Sequence, residues 1–163
     1  MRSALKYFAL SSCAAVAVSI ALVAVSSATA THDKYTVKVP GGLAFSEFRG
    51  YEGWQVVGVS DSAPAIAVIL ANPIMIAAYQ SGIPGNGKPF PDGSKIAKIE
   101  WRPKKLNDAP FSASTPDTVP GDLAQVEFIV KDSKRFSDTH GWGYGMFDYD
   151  AASGTFAPGT SAS

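Results

Sequence analysis

Cysteine is almost absent from this sequence. The single cysteine, Cys13, lies within segment 1–30, so segment 31–163 contains none. A body without cysteine can build neither a disulfide framework nor a thiolate metal site. Histidine is nearly as scarce, because His32 and His140 are far apart and no second histidine stands at ligand spacing. The sequence therefore predicts no metal site made of its own side chains.

An excess of positive charge is also missing. Arg2 and Lys6 are the charged side chains of segment 1–30, so segment 31–163 has 12 basic against 14 acidic side chains, a net charge of −2. Nucleic-acid-binding domains need a basic surface, so this composition excludes nucleic acid as a partner. The segment from Gly82 to Lys88 has the spacing of a phosphate-binding loop, but Pro89 replaces the hydroxyl residue that would bind magnesium. We interpret this segment as a plain loop.

Segment 1–30 contains the long apolar run of the chain. Arg2 and Lys6 precede an uncharged stretch that ends in the small residues Ala28-Thr29-Ala30. This pattern predicts a secretory signal peptide, 1–30, which is cleaved after Ala30 and leaves a body with no membrane contact. Two alternatives stay open: an uncleaved membrane anchor, since the run approaches the length of a span, and lipoprotein cleavage at Cys13.

The body has the length of one compact domain. Alternating apolar residues predict strands at 54–59, 65–70, 95–101, 123–130 and 141–149, and helical signals predict helices at 45–51 and 73–81. We expect an α+β fold, with an antiparallel β-sheet and flanking helices. Residues 31–42 are predicted to be an N-terminal tail, 43–156 the domain and 157–163 a linker-like end. The proline-rich segment 102–120 is predicted to be a long excursion.

Two charged residues stand inside apolar strands. Lys98 shares its strand face with Ile96 and Glu100, and Glu127 shares its face with Ile129. Partial burial would make an unpaired charge costly and would shift its pKa. The alternative is an exposed sheet face on which the lysine extends its charge to solvent.

The segment from Gly141 to Phe147 alternates glycine with large side chains. At a period of two residues, one face of this strand carries no side chain and the other is aromatic. The bare face would admit a partner closely. That partner is either a helix or a planar cofactor.

The order of these segments resembles the cytochromes P-460 and the related cytochromes c′-beta. The most specific match is the Lys-Asp-Ser-Lys-Arg-Phe segment at 131–136 with the following Gly-Trp pair. The Asp-Gly turn at 92–93 before the Lys98 strand is a weaker match. The resemblance covers nearly all of residues 43–156. It implies a periplasmic, usually dimeric protein with one haem c on an antiparallel sheet.

The resemblance also implies site residues. A lysine is cross-linked to the porphyrin in the P-460 members, and by position Lys98 would be that residue, with Lys95 as the fallback. Glu127 would lie in the distal pocket and relay protons from a small nitrogenous substrate bound to iron. The P-460 members oxidise hydroxylamine and can involve nitric oxide, so a redox partner such as a soluble cytochrome is expected.

The sequence departs from the family at one point. The Cys-x-x-Cys-His motif that attaches haem is expected after the final strand and is absent from this sequence. His140 precedes that strand, so we name no axial ligand and expect a chain that is incomplete at its C-terminus. Whether the protein is an enzyme depends on this motif. The alternatives are a non-catalytic gas-binding haem domain of the cytochrome c′-beta kind and a haem-free secreted domain that binds a small ligand.

Overall fold

A computed structural model describes residues 33–62, 64–106 and 118–159. Their main element is one antiparallel sheet of six strands that neighbour each other in chain order. The strands are β1 (Gln55–Ser62), β2 (Ala65–Ala71), β3 (Lys95–Lys105), β4 (Thr118–Lys131), β5 (Trp142–Asp150) and β6 (Thr155–Pro158). The helices are α1 (Pro73–Gln80) and the short 3-10 helices Lys34–Thr36, Phe45–Phe48, Tyr51–Gly53 and Ser137–Thr139. The predicted α+β class with an antiparallel sheet is confirmed, although its helices are few and short.

Helix α1 begins and ends close to its predicted bounds. The Asn72 side chain accepts a hydrogen bond from the backbone N–H of Met75, and Pro73 occupies the first turn. Gly82 follows the helix with a φ of +95°, a conformation that favours glycine. No helix in the described part of the chain is long and apolar enough to cross a membrane. The predicted signal peptide, with Cys13 and His32, lies outside the described residues.

The hydrophobic core lies on one face of the sheet. Phe45 and Phe48 come from a 3-10 helix and pack onto Phe128 and Phe147, and all four side chains are fully buried. The rings of Phe48 and Phe128 stack with their centroids 4.0 Å apart. The predicted continuous helix at 45–51 is wrong, because Gly50 adopts a φ of +79° and separates two short 3-10 helices.

The segment predicted as an N-terminal tail packs on the core where it is described. Val39 is only 4% exposed, and the adjacent Leu43 is 1% exposed. Lys38 forms a β-bridge with Ala44, so the chain doubles back over the sheet. The prediction relied on the polar composition of this segment. Tyr35, Val37 and Val39 pack against the core, because burial of their apolar surface is favourable.

The largest differences from the predicted strands are in β3, β4 and β6. Strands β3 and β4 extend into both ends of the predicted excursion, and Pro103 lies opposite Pro120 beside an irregularity in the pairing. A proline lacks the N–H of a regular ladder, so it is tolerated at such irregularities. The rest of that excursion, 107–117, lies outside the described residues. Strand β6 pairs with β5 and includes Ala157 and Pro158 of the predicted linker-like end.

The glycine face of β5 contacts side chains of this chain. A Cβ atom on Gly143 would overlap the ring of Phe136, and one on Gly145 would lie 2.8 Å from Leu43 Cδ2. The expectation of a helix or a planar cofactor on this face is therefore wrong. The bare backbone makes room for large residues from two loops.

Candidate functional site

Lys98 lies near the middle of the sheet, on the face opposite the aromatic core. Its neighbour Ala97 is fully buried in the core, and side chains alternate along a strand. The strand register places Ile69, Lys98, Glu127 and Met146 in one row across β2 to β5. The two predicted site residues are therefore direct cross-strand neighbours.

Four polar side chains form a closed ring of contacts here, which we call the Lys98 ring: Lys98, Glu100, Gln125 and Glu127. The Lys98 amine forms an ion pair with Glu100 Oε1 and lies 3.4 Å from Glu127 Oε2. The Gln125 amide nitrogen donates to Glu100 Oε2 at 2.6 Å and to Glu127 Oε1 at 3.1 Å. Each carboxylate thus binds lysine with one oxygen and glutamine with the other.

The ring is partly shielded from solvent. The side chains of Lys98 and Glu127 are 33% and 32% exposed, whereas that of Glu100 is 11% exposed. The hydrogen bond to Glu100 raises the pKa of the Lys98 amine above its usual value; partial burial opposes this, and the charge of Glu127 adds to it. Lys98 is therefore an ammonium group at neutral pH. The ring contains one amine and two carboxyl groups.

The structure separates the fallback residue from this site. Lys95 begins β3 and belongs to the same face as Ala97. Its amine donates to the backbone carbonyl of Glu47 and lies 5.2 Å from the centre of the Phe48 ring. Lys95 therefore helps to hold the core-side 3-10 helix to the sheet and lies on the opposite face from Glu127.

His140 does not join the Lys98 ring either. It ends the 3-10 helix Ser137–Thr139 with a φ of +56°, and its carbonyl accepts a hydrogen bond from Lys131. Lys131 stands four residues beyond Glu127 on β4, which corresponds to about 13 Å along the strand. No group of three or more His, Cys, Asp or Glu residues that could hold a metal ion occurs within the described residues.

An apolar groove of about 640 Å³ lies on the same face, and none of the four ring residues lines it. It lies between α1 and strand β1, and Ile96, two residues before Lys98, forms part of its wall. Its volume is within the range of small-molecule sites. The principal apolar lining residues are Val56, Val57, Met75, Tyr79, Phe90 and Ile96.

A charged ring beside an apolar groove, on one face of an antiparallel sheet, defines a domain suited to a small molecule or cofactor. Comparison with known families identifies the family of this domain. The chain belongs to the cytochrome P460 family, whose model matches residues 48–162 and so includes all six strands. The resemblance inferred from the sequence is thereby confirmed, and with it a haem-binding cytochrome of this family. A search of curated proteins finds no match.

The described residues include a lysine placed to contact a haem, but they lack the residues that attach a haem c. The Lys98 side chain is 33% exposed, and its cross-strand neighbours are the apolar Ile69 on β2 and Glu127 on β4. The sequence contains no Cys-x-x-Cys-His motif, and His140 is remote from Lys98. The described residues therefore supply neither cysteines for thioether bonds nor a histidine close to Lys98.

Sequence reasoning missed two members of the ring. It placed Glu100 on the Lys98 face but gave it no role, and it did not single out Gln125. The period of two residues relates Glu100 to Lys98 and Gln125 to Glu127, so the alternation itself was the available signal. The strand register that sets Glu100 opposite Gln125 could not be read from either strand alone.

Proposed function

We propose that this protein is a periplasmic haem oxidoreductase that acts on hydroxylamine or nitric oxide, with haem c held against the face of the sheet that carries Lys98. The supporting observation is the pairing of Lys98 with Glu127 on an accessible face, beside an apolar groove, in a chain of the cytochrome P460 family. Lys98 is the proposed cross-linking residue.

Haem supplies the redox chemistry when bound, and the protein positions it and its substrate. Glu127 is proposed to take up protons released by the substrate, because its side chain is partly exposed and its contacts, at 3.1 and 3.4 Å, are longer than those of Glu100. Ile69 and Met146 would keep water away from the two ends of the charged row.

The partners of this function are part of the proposal. Oxidation of hydroxylamine releases electrons, so the protein would pass them to a redox partner such as a soluble cytochrome. A homodimer, cleavage of the signal peptide and release into the periplasm follow from the family resemblance and the leader at 1–30.

The cross-link is tested by peptide mass spectrometry. The complete natural protein is expressed in a host that matures c-type cytochromes and is then digested. We expect the Lys98 peptide to carry the mass of the porphyrin. Lys98→Arg should abolish this cross-link, whereas the matched variant Lys95→Arg should retain it. A cross-link at Lys95, or none in the haem-loaded protein, would contradict the assignment.

The role of Glu127 is tested by Glu127→Gln. This change keeps the shape and the contact with Gln125 but removes the proton acceptor, so we expect kcat for hydroxylamine oxidation to fall about 10²-fold with the cross-link intact. Steady-state kinetics and the same peptide analysis check both points. Unchanged kcat would contradict a proton-relay role.

One observation favours a second candidate, a gas-binding haem domain without a cross-link. Two carboxylates hold the Lys98 amine as an ammonium group, and a protonated amine has no lone pair with which to form a bond. This candidate predicts bound haem, an unmodified Lys98 peptide and reversible binding of nitric oxide without hydroxylamine oxidation.

A further inference from the structure

The two carboxylates of the Lys98 ring are not equivalent. Glu100 has its side chain 11% exposed, forms the closer ion pair with Lys98, and accepts from Gln125 at 2.6 Å. Glu127 is 32% exposed and makes the longer contacts, 3.4 Å to Lys98 and 3.1 Å to Gln125. Charge-assisted hydrogen bonds strengthen as they shorten and as water is excluded. Glu100 is therefore the principal counter-ion of Lys98.

Gln125 orients both carboxylates. Gln125 lies opposite Glu100 in the strand register and two residues before Glu127 on β4. Its amide nitrogen therefore reaches both carboxylates. An amide can donate two hydrogen bonds without adding charge. It therefore turns one oxygen of each glutamate toward itself and leaves the other oxygen for Lys98.

We infer that Glu100, oriented by Gln125, is a positioning residue that holds the Lys98 amine in its charged form against the sheet and leaves Glu127 available to a ligand. The other groups that face Lys98 do not compete for this role. Strand β2 presents uncharged Ala67 and Ile69 to this face, and on β5 the exposed Asp148 stands opposite Gln125. Release of Lys98 from Glu100 is then the condition for its nitrogen to act as a nucleophile.

This inference rests on the proposed function for the importance of Lys98, but its test needs no haem. The chain from Met1 to Ser163 is labelled with a limiting amount of acetic anhydride over a range of pH, and the acetylation of each lysine is measured by peptide mass spectrometry. Only the uncharged amine reacts, so the pH profile reports how strongly Lys98 is held as an ammonium group. If Glu100 only supported the fold, its replacement would not shift the pH dependence of Lys98 acetylation.

Glu100→Gln preserves the side-chain shape and removes the counter-ion. We expect Lys98 to be labelled about twofold to fivefold faster near neutral pH, a range that allows for solvent screening of a partly exposed pair. Glu127→Gln, the matched variant, should produce a smaller increase. Lys95 is an internal control, because its amine is bonded to the Glu47 carbonyl on the other face and its labelling should not change.

Unchanged Lys98 labelling in Glu100→Gln, or a larger increase in Glu127→Gln, would overturn the inference. Should Glu100→Gln fail to fold, Gln125→Met decides the question, because it releases Glu100 without altering any charge. A faster reaction of Lys98 in that variant supports the inference and an unchanged one contradicts it. The haem cross-link experiment is separate, so failure of the proposed function and failure of this inference are distinguishable.

Discussion

At the scale of single residues, Gly143 shows how the absence of a side chain determines packing. It is the second residue of β5, and the Phe136 ring occupies the space that a Cβ atom would need. Phe136 comes from the loop after β4 and is 8% exposed. The close approach of ring and backbone brings this loop onto the sheet.

Gly143→Ala is expected to destabilise the protein by about 1–3 kcal/mol, because the new methyl group displaces the Phe136 ring. Urea unfolding measures the loss. Gly53→Ala is the matched control with an expected effect within about 0.5 kcal/mol, since nothing lies within 4 Å of that Cβ position. The double variant with Phe136→Leu should lose less than the sum of the single changes. Strict additivity would contradict the steric explanation.

Asp92 connects two loops through its carboxylate. It accepts a hydrogen bond from the Ser133 backbone N–H at 2.9 Å and from the Ser133 hydroxyl at 2.6 Å. These hydrogen bonds, with the hydroxyl contributing most, hold the pKa of Asp92 below its usual value. A lowered pKa in the folded state means that the ionised carboxylate stabilises the fold above about pH 4. That stabilisation is lost as the pH falls through the folded-state pKa.

Asp92→Asn is therefore expected to lower Tm at neutral pH, and the difference from the wild type should shrink as the solution is acidified toward about pH 3. Thermal unfolding followed by circular dichroism at several pH values measures it. Asp61→Asn, at an exposed position of β1, serves as the control and should leave Tm nearly unchanged. A difference that is independent of pH would show that ionisation of Asp92 does not contribute.

At the scale of elements, α1 is joined to the sheet by the side chain of Asn72. This residue is 6% exposed and its amide oxygen accepts from the N–H groups of Met75 and Lys95. Its amide nitrogen donates to the Gly93 carbonyl. One side chain thus caps the helix and also fixes the start of β3, the strand that carries Lys98.

Asn72→Ala is expected to cost about 2–4 kcal/mol, more than the loss of a cap alone, because partly buried groups at the start of β3 lose their partner. Chemical unfolding measures this cost. Asn72→Asp keeps the acceptor and loses the donor, so its cost in stability should lie between zero and that of Asn72→Ala. Asp33→Ala removes the cap of an exposed 3-10 helix and should cost less than about 1 kcal/mol. Equal costs for Asn72→Ala and Asp33→Ala would contradict the double role.

At the scale of the whole molecule, Arg135 connects the segment around Gly42 and Glu47 to the loop after β4. Its guanidinium donates to both carboxylate oxygens of Glu47, at 2.7 and 3.2 Å, and to the Gly42 carbonyl. These contacts join parts of the chain that are about ninety residues apart in sequence. A planar guanidinium can form this forked set of bonds, whereas an ammonium group cannot.

Arg135→Lys is expected to cost about 1 kcal/mol or less overall, since both partners are partly exposed. The sharper readout is local hydrogen exchange. The N–H groups of Val39 and Phe45, which bond within the N-terminal segment, should exchange faster, whereas those of β4 should not. Lys134→Met changes an exposed neighbour and should leave all of them unaltered. Uniform acceleration across the sheet would contradict a local role.

Local patterns predicted the parts of this molecule that depend on neighbouring residues. The alternation around Lys98 and Glu127 correctly placed each within a strand, and Asn72 with Pro73 correctly marked the start of α1. The helix at 45–51 failed because Gly50 takes a left-handed conformation that the aromatic spacing does not encode. Strand β6 was missed because its four-residue sequence ends in a proline and forms a strand only through its pairing with β5.

The sequence by itself determined the alternation of apolar and polar faces along the strands, the position of α1 and the family to which the chain belongs. The tertiary structure decided which strand register sets Lys98 opposite Glu127 and Glu100 opposite Gln125, and which side chains fill the glycine face of β5. The physical reason is the range of the forces involved. Alternation and capping act within a few residues, whereas pairing and packing depend on contacts between residues far apart in the chain.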